Sequence, residues 1–256
     1  MTRADWPTQA ETPRRVPWGR RLERRYMHGG SSPRGLQPPP RGRPHHGAAV
    51  TGKSEYVTLV LKRNRGWPWP ESAFMDSMYG EGGWCHRCGT PLVEQNGPVV
   101  LQKRARPVKG AWVPHWAWES FCVDLDLADR LERDLPEVEF LDVQTRSGAV
   151  IGRQIAVTAC VEPWFARRDL VRRTWARHRR LGARCPDCGT WRWLPLTRER
   201  LPRLRIDLMS QTAPVIVSPE WFGDGQNSFR EMLFRRDLAD RLAAVGRTDL
   251  ELEELT

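Results

Sequence analysis

No stretch of this 256-residue chain approaches the ~18–20 consecutive apolar residues that cross a bilayer. The first thirty residues also lack the uninterrupted apolar segment of a secretion signal. These absences predict a cytoplasmic protein with reduced thiols and no membrane association. Catalytic signatures are missing too. There is no His-Glu-x-x-His, no Gly-x-Ser-x-Gly, no P-loop, and no Gly-x-Gly-x-x-Gly between a strand and a helix. Zinc deaminases pair His-x-Glu with Pro-Cys-x-x-Cys, and no His-x-Glu occurs here. The sequence therefore predicts a protein that is not an enzyme.

Acidic residues are scarce at the N-terminus. Residues 1–66 hold four Asp/Glu against fourteen Lys/Arg, which accounts for the whole net charge of +10, and 67–256 balances 27 against 27. Residues 1–54 are rich in Arg, Pro and Gly and too poor in apolar residues to form a core, so they are expected to be a disordered arm. Such an arm is either an electrostatic tether for nucleic acid or an acidic surface, or a solvated tail, or translated upstream sequence with initiation further along the chain.

Cysteine is sparing and patterned. Four of the six cysteines form two copies of one motif, Cys85-His86-Arg87-Cys88-Gly89-Thr90 and Cys185-Pro186-Asp187-Cys188-Gly189-Thr190. In such a zinc knuckle two thiolates converge on a tight turn, and glycine lets the backbone pass beneath the metal. Cys85, Cys88, Cys185 and Cys188 can fill the tetrahedral shell of one closed structural Zn2+ site. The 96 residues between Cys88 and Cys185 far exceed the ~15–20 of a compact zinc ribbon. One shared site thus requires two remote loops to meet, and two separate sites are the alternative. His86 is expected to point outward, and Cys122 and Cys160 to fill core positions.

A second repeat lies downstream of each motif. Asp126-Leu127-Ala128-Asp129-Arg130-Leu131 matches Asp237-Leu238-Ala239-Asp240-Arg241-Leu242 at every position, 111 residues apart. Leucines four apart mark one helical face, Asp is placed as the N-cap, and a breaker (Pro136 or Gly246) precedes an alternating strand. Further strands are expected at 55–62, 99–103, 112–121, 155–161 and 214–218. The resulting fold is α+β. Two knuckle–strand–helix–strand repeats, near 82–150 and 182–256, pack as one body over 55–256 around a four-cysteine zinc site.

Between the repeats, 165–184 reads as a helix carrying eight arginines and one acid, Asp169. Arg172, Arg173, Arg179 and Arg180 are candidates for binding nucleic acid or an acidic partner, with Trp175 and Trp191 as stacking platforms. The alternative is a solvated face paired with the acidic run at 124–142 or the acidic C-terminus. Of the thirteen tryptophans most are expected in the core, while Trp84, Trp191 and Trp193 near the knuckles are candidates for an interface.

This layout resembles the double-CxxCG motif proteins of bacteria. The likeness spans roughly 82–256 and rests on the two CxxCG loops, the Ile206-Asp207-Leu208 segment, 214–218 and 234–255. Some members are immunity proteins that bind and neutralise a cognate toxin. The resemblance implies a zinc-stapled protein-binding module without enzymatic activity. This chain departs from the family in its long basic arm and its arginine-rich helix. Two functions follow as expectations: a protein-interaction module, with toxin immunity as the family's example, or a nucleic-acid-binding zinc protein using the arm and the helix.

Overall fold

The computed structural model describes residues 55–70, 73–102, 108–117, 119–206, 211–246 and 249–255. The arm at 1–54 lies outside the described residues, as do Asp207 and Leu208. The body is α+β. One sheet comprises β1 (Tyr56–Leu61), β7 (Thr158–Ala159), β8 (Gly182–Arg184), β9 (Trp191–Trp193), β10 (Val215–Asp224), β11 (Asn227–Arg235) and β12 (Leu250–Glu253). Its order is β12-β1-β11-β10-β9-β8, and β7 pairs with β10. The second sheet comprises β2 (Val99–Leu101), β3 (Ala111–Trp112), β4 (Cys122–Val123), β5 (Phe140–Thr145) and β6 (Val150–Ile155), ordered β2-β5-β6-β4-β3. The helices are α1 (Asp76–Tyr79), α2 (Leu125–Asp134), α3 (Arg167–His178) and α4 (Arg236–Val245).

The two six-residue copies lie on α2 and α4, each ten residues long. Around both, the chain runs strand, helix, strand, and a third strand antiparallel to its neighbours separates the two flanking ones. That strand is β6 between β4 and β5, and β1 between β11 and β12. Leu127, Leu131, Leu238 and Leu242 are all buried in one shared cluster, together with Phe121, Phe234 and Ile155. The Phe121 and Phe234 rings meet edge-on at 4.8 Å. Burying both leucine stripes in a single core explains why neither half stands apart: each supplies the apolar surface the other covers.

Several local expectations are corrected. Asp126 and Asp237 sit in the first helical turn, where an acid complements the N-terminal dipole. The α2 cap is Asp124, whose Oδ1 accepts from the Leu127 amide at 2.7 Å. Leucine burial is as expected, but α2 packs chiefly on the central strand β6, whereas α4 packs on β1 and β12. The 165–184 helix is shorter. It stops at His178 because Arg179 takes a left-handed conformation (φ 58°), and the chain then enters the edge strand β8. The 112–121 segment is extended only at its start, since Trp116 turns the chain at φ 64°. Conversely, β10 continues past 218. Its register with β11 shifts between Val217 and Trp221, where Pro219 has no amide to donate, and the Ser218 hydroxyl accepts from the Glu231 amide instead.

Because both leucine stripes serve one core, Leu131→Ala and Leu242→Ala should each lower unfolding free energy by about 2–5 kcal/mol. Urea denaturation of the two variants reads this, with a comparable loss expected at both sites.

Candidate metal centre

Each CxxCGT loop is closed by its own backbone. The Cys85 amide donates to the Thr90 carbonyl at 2.9 Å and the Gly89 amide to the Cys85 carbonyl at 2.7 Å. In the second loop Cys185 to Thr190 is 2.8 Å and Gly189 to Cys185 is 2.9 Å. Gly89 and Gly189 have φ of 73° and 76°, a region costly to any residue with a Cβ. The turn aims both sulfurs of a loop the same way.

The two loops face each other. Cys85 Sγ lies 3.7 Å from Cys185 Sγ, and Cys88 Sγ lies 3.6 Å from Cys188 Sγ. All four sulfurs fall within 4.8 Å of one another. A tetrahedron with metal–sulfur bonds of about 2.3 Å has an edge of about 3.8 Å, so the cluster has the dimensions a four-thiolate metal site needs. The arrangement is one cluster rather than two half-sites. His86 is outside it, exposed and packed against Trp84 with centroids 4.1 Å apart.

Ties beyond the sulfurs hold the loops in register. Arg87 and Asp187, the variable residues of the two motifs, approach to 3.5 Å. Arg192, two residues past the second motif, reaches the Cys88 carbonyl at 3.2 Å and the Gly225 and Asn227 carbonyls at 2.9 and 3.1 Å. Ser228 Oγ donates to the Cys88 carbonyl at 2.6 Å and receives the Thr90 hydroxyl at 3.0 Å. The β10–β11 hairpin is thereby clamped to the first loop. The repeated Thr after each Gly was visible in the sequence, but Ser228 and Arg192 belong to no motif and carried no signal.

The thiols are electrostatically unequal. Burial pushes Cys88 up to about 12. The Cys188 and Asp187 amides hold Cys185 below the ordinary thiol range. For Cys188, burial raises the value, but hydrogen bonds from Thr190 and the neighbouring thiols outweigh it and bring it to about 6. Four thiolates cannot collect in this space without a cation, and such a donor set suits a soft metal ion.

The remaining candidates are dispersed. Trp84 is buried and donates to Asp76 Oδ1 at 2.6 Å, and Trp193 is a core residue, so of the three interface candidates Trp191 alone lies open. Arg173 turns to the Arg200 carbonyl and Arg180 pairs with Asp224, while Arg172 and Arg179 stay exposed. Cys122 is fully buried and Cys160 packs beside a core cluster, as expected of core fillers.

A cleft of about 480 Å³ opens beside the first cysteine loop. Phe74, Tyr79, Trp84, Trp116 and Trp221 line it, with Gln226 and Asn227 at an exposed rim. Its lining Glu119 is bound by Arg230 through both guanidinium and carboxylate forks at 2.5–3.1 Å, and Arg230 covers the Trp221 ring at 4.7 Å. Sequence reading missed this cleft because its lining comes from four separated segments.

Comparison with models of protein families, with curated proteins and with solved structures gives no match.

The glycines of the two loops should respond unequally. A Cβ at Gly89 would lie 2.2 Å from the Gln226 carbonyl oxygen, whereas one at Gly189 meets only Arg184 Nη1 at 4.0 Å. Gly189→Ala should cost the left-handed penalty, about 1–2 kcal/mol, and Gly89→Ala distinctly more, read from thermal melting of both variants.

Proposed function

We propose that this chain is a non-enzymatic, zinc-stapled protein-binding module of the cytoplasm. Four thiolates at tetrahedral spacing suit zinc, and they leave no open coordination position for water or substrate. The metal would be structural, joining the loops at Cys85/Cys88 and Cys185/Cys188. The matching strand–helix–strand arrangements around α2 and α4 support an origin by duplication. The resemblance to double-CxxCG proteins, some of which neutralise a toxin by binding it, supports a partner-binding role and makes toxin immunity the reading to test first.

The observation that carries the proposal is the aromatic cleft beside the cysteine loops. Its volume of about 480 Å³ falls in the range of ligand sites, and Trp116 remains 41% exposed at its mouth. Because Arg230 neutralises Glu119, the wall offers ring faces without net charge. Such a site favours an apolar or aromatic anchor side chain from a protein partner, with the Gln226 and Asn227 amides available to its backbone. The cysteine cluster positions one wall of the cleft through Trp84 and His86, so metal and recognition are coupled through packing.

Two experiments test this reading. Purified protein should carry one zinc per chain, and chelation or Cys185→Ser should unfold the body, since structural zinc contributes on the order of 10 kcal/mol. Acidification should release the metal, because protons compete for every thiolate ligand. Zero zinc, or a melting temperature indifferent to chelator, overturns the staple. For binding, Trp116→Ala should abolish co-purification of a defined protein from nuclease-treated lysate while zinc content and melting stay unchanged. A partner retained equally by Trp116→Ala and wild type overturns the cleft.

A further inference from the structure

The arginine helix is not neutralised by the rest of the body. Several acids that could have offset it are engaged elsewhere, and Asp126, Asp129, Glu132 and Glu139 form no ion pair with it among the described residues. Asp124 caps α2, and Asp134, Glu137 and Asp142 pair with Arg241, Arg235 and Arg153. Near the C-terminus Glu251, Glu253 and Glu254 pair with Lys62, Arg198 and Arg236. Among the described residues none of these ion pairs reaches α3. Only Asp169, within the helix, and Asp224 pair with arginines of the 167–180 segment, while Arg167, Arg168, Arg177 and Arg179 have no ion-pair partner among the described residues.

The exposed side chains also have a pattern. Leu170 and Thr174 are buried and anchor α3 to the sheet. Arg168, Arg172, Trp175 and Arg179 are all exposed and fall at i, i+4, i+7 and i+11. At 3.6 residues per turn Arg168, Arg172 and Trp175 share an arc of about 60° over a length of about 10 Å, on the side opposite the anchors, and Arg179 follows at the left-handed end of the helix. Trp175 is 46% exposed in the middle of the stripe. Beyond the helix, Trp191 lies opposite Arg184 in the β8–β9 pair. Trp191 meets Trp193 edge-on at 5.6 Å, and Trp193 shares a core cluster with Leu170, so Trp191 and Arg184 stand on the sheet face that α3 covers.

We propose that this stripe, with Arg184 and Trp191 as further contacts, binds single-stranded nucleic acid. Guanidiniums flanking an exposed indole fit a polymer that presents phosphates along its backbone and unpaired ring faces beside them. A duplex offers the phosphates but stacks its bases away from Trp175. The surface is separate from the aromatic cleft, and the inference stands or falls independently of the protein-binding reading.

The test titrates full-length protein with a thymidine oligonucleotide of about 12 nucleotides, within the site size of such surfaces, following tryptophan fluorescence across a salt series. The arm contributes equally to every variant, so differences report the stripe. Replacing Arg168, Arg172 and Arg179 together by Gln should lower the slope of log affinity against log salt by about 2, at ~0.7 per phosphate released. Replacement of the same three by Lys should leave the slope near wild type. Trp175→Ala should weaken binding about tenfold with the slope unchanged. Equal zinc content and melting temperature in the variants show that the fold is intact. The proposal is overturned if wild type does not bind, if the Gln variant keeps the wild-type slope, or if polyglutamate binds as tightly as the oligonucleotide and is lost with the same arginines.

Discussion

Sulfurs belonging to residues 100 positions apart approach to 3.6 and 3.7 Å, and the placement of most other elements depends on that approach. Closing a loop of about 100 residues costs on the order of 5 kcal/mol of chain entropy. Hydrogen bonds between thiols are too weak to offset this, and four thiolates would repel. Metal–thiolate bonds to a bound ion would exceed the cost, and Arg192, Ser228 and the Arg87–Asp187 pair would reduce what such an ion must do by aligning the loops. The cluster is therefore a consequence of the surrounding fold as well as a restraint on it.

The second organising constraint is the shared core. Each strand–helix–strand unit has one leucine stripe to bury, and ten-residue helices of this kind are marginal alone. Both stripes enter one cluster, with Phe121 from one unit against Phe234 from the other. On the outer side, Arg241–Asp134 and Arg235–Glu137 cross between the units. Those pairs are partly exposed and individually worth little, so apolar burial carries the association and the ion pairs select its register.

Charge is allocated unevenly for a body whose total is balanced. Asp134 at the end of α2, the acids of β12 and Asp124 at the β4–α2 turn find partners close at hand, while α3 keeps several arginines facing water. Pairing is decided by which surfaces the fold brings together, and α3 packs through Leu170 into the cluster of the seven-stranded sheet. A net charge near zero therefore conceals a basic stripe on one surface and a neutral aromatic cleft on another.

Much of this was legible from local chemistry. The Cys-x-x-Cys-Gly-Thr pairs specified two tight turns, because only glycine sits easily at φ near 75° there. The identical hexapeptides specified two helices with buried leucines, since periodicity acts over a few residues and needs no knowledge of the partner. Limits of elements were harder. The end of α3 has no glycine or proline to mark it, and the left-handed residue is Arg179. Non-local choices could not be read at all. That β6 separates β4 from β5, and β1 from the chain's far beginning separates β11 from β12, depends on competition among strands with similar patterns. Whether the cysteines formed one cluster or two, which acids neutralised which arginines, and that four segments enclosed a cleft were likewise tertiary outcomes. Spacing in sequence limits reach, but closure entropy and burial decide which remote segments meet.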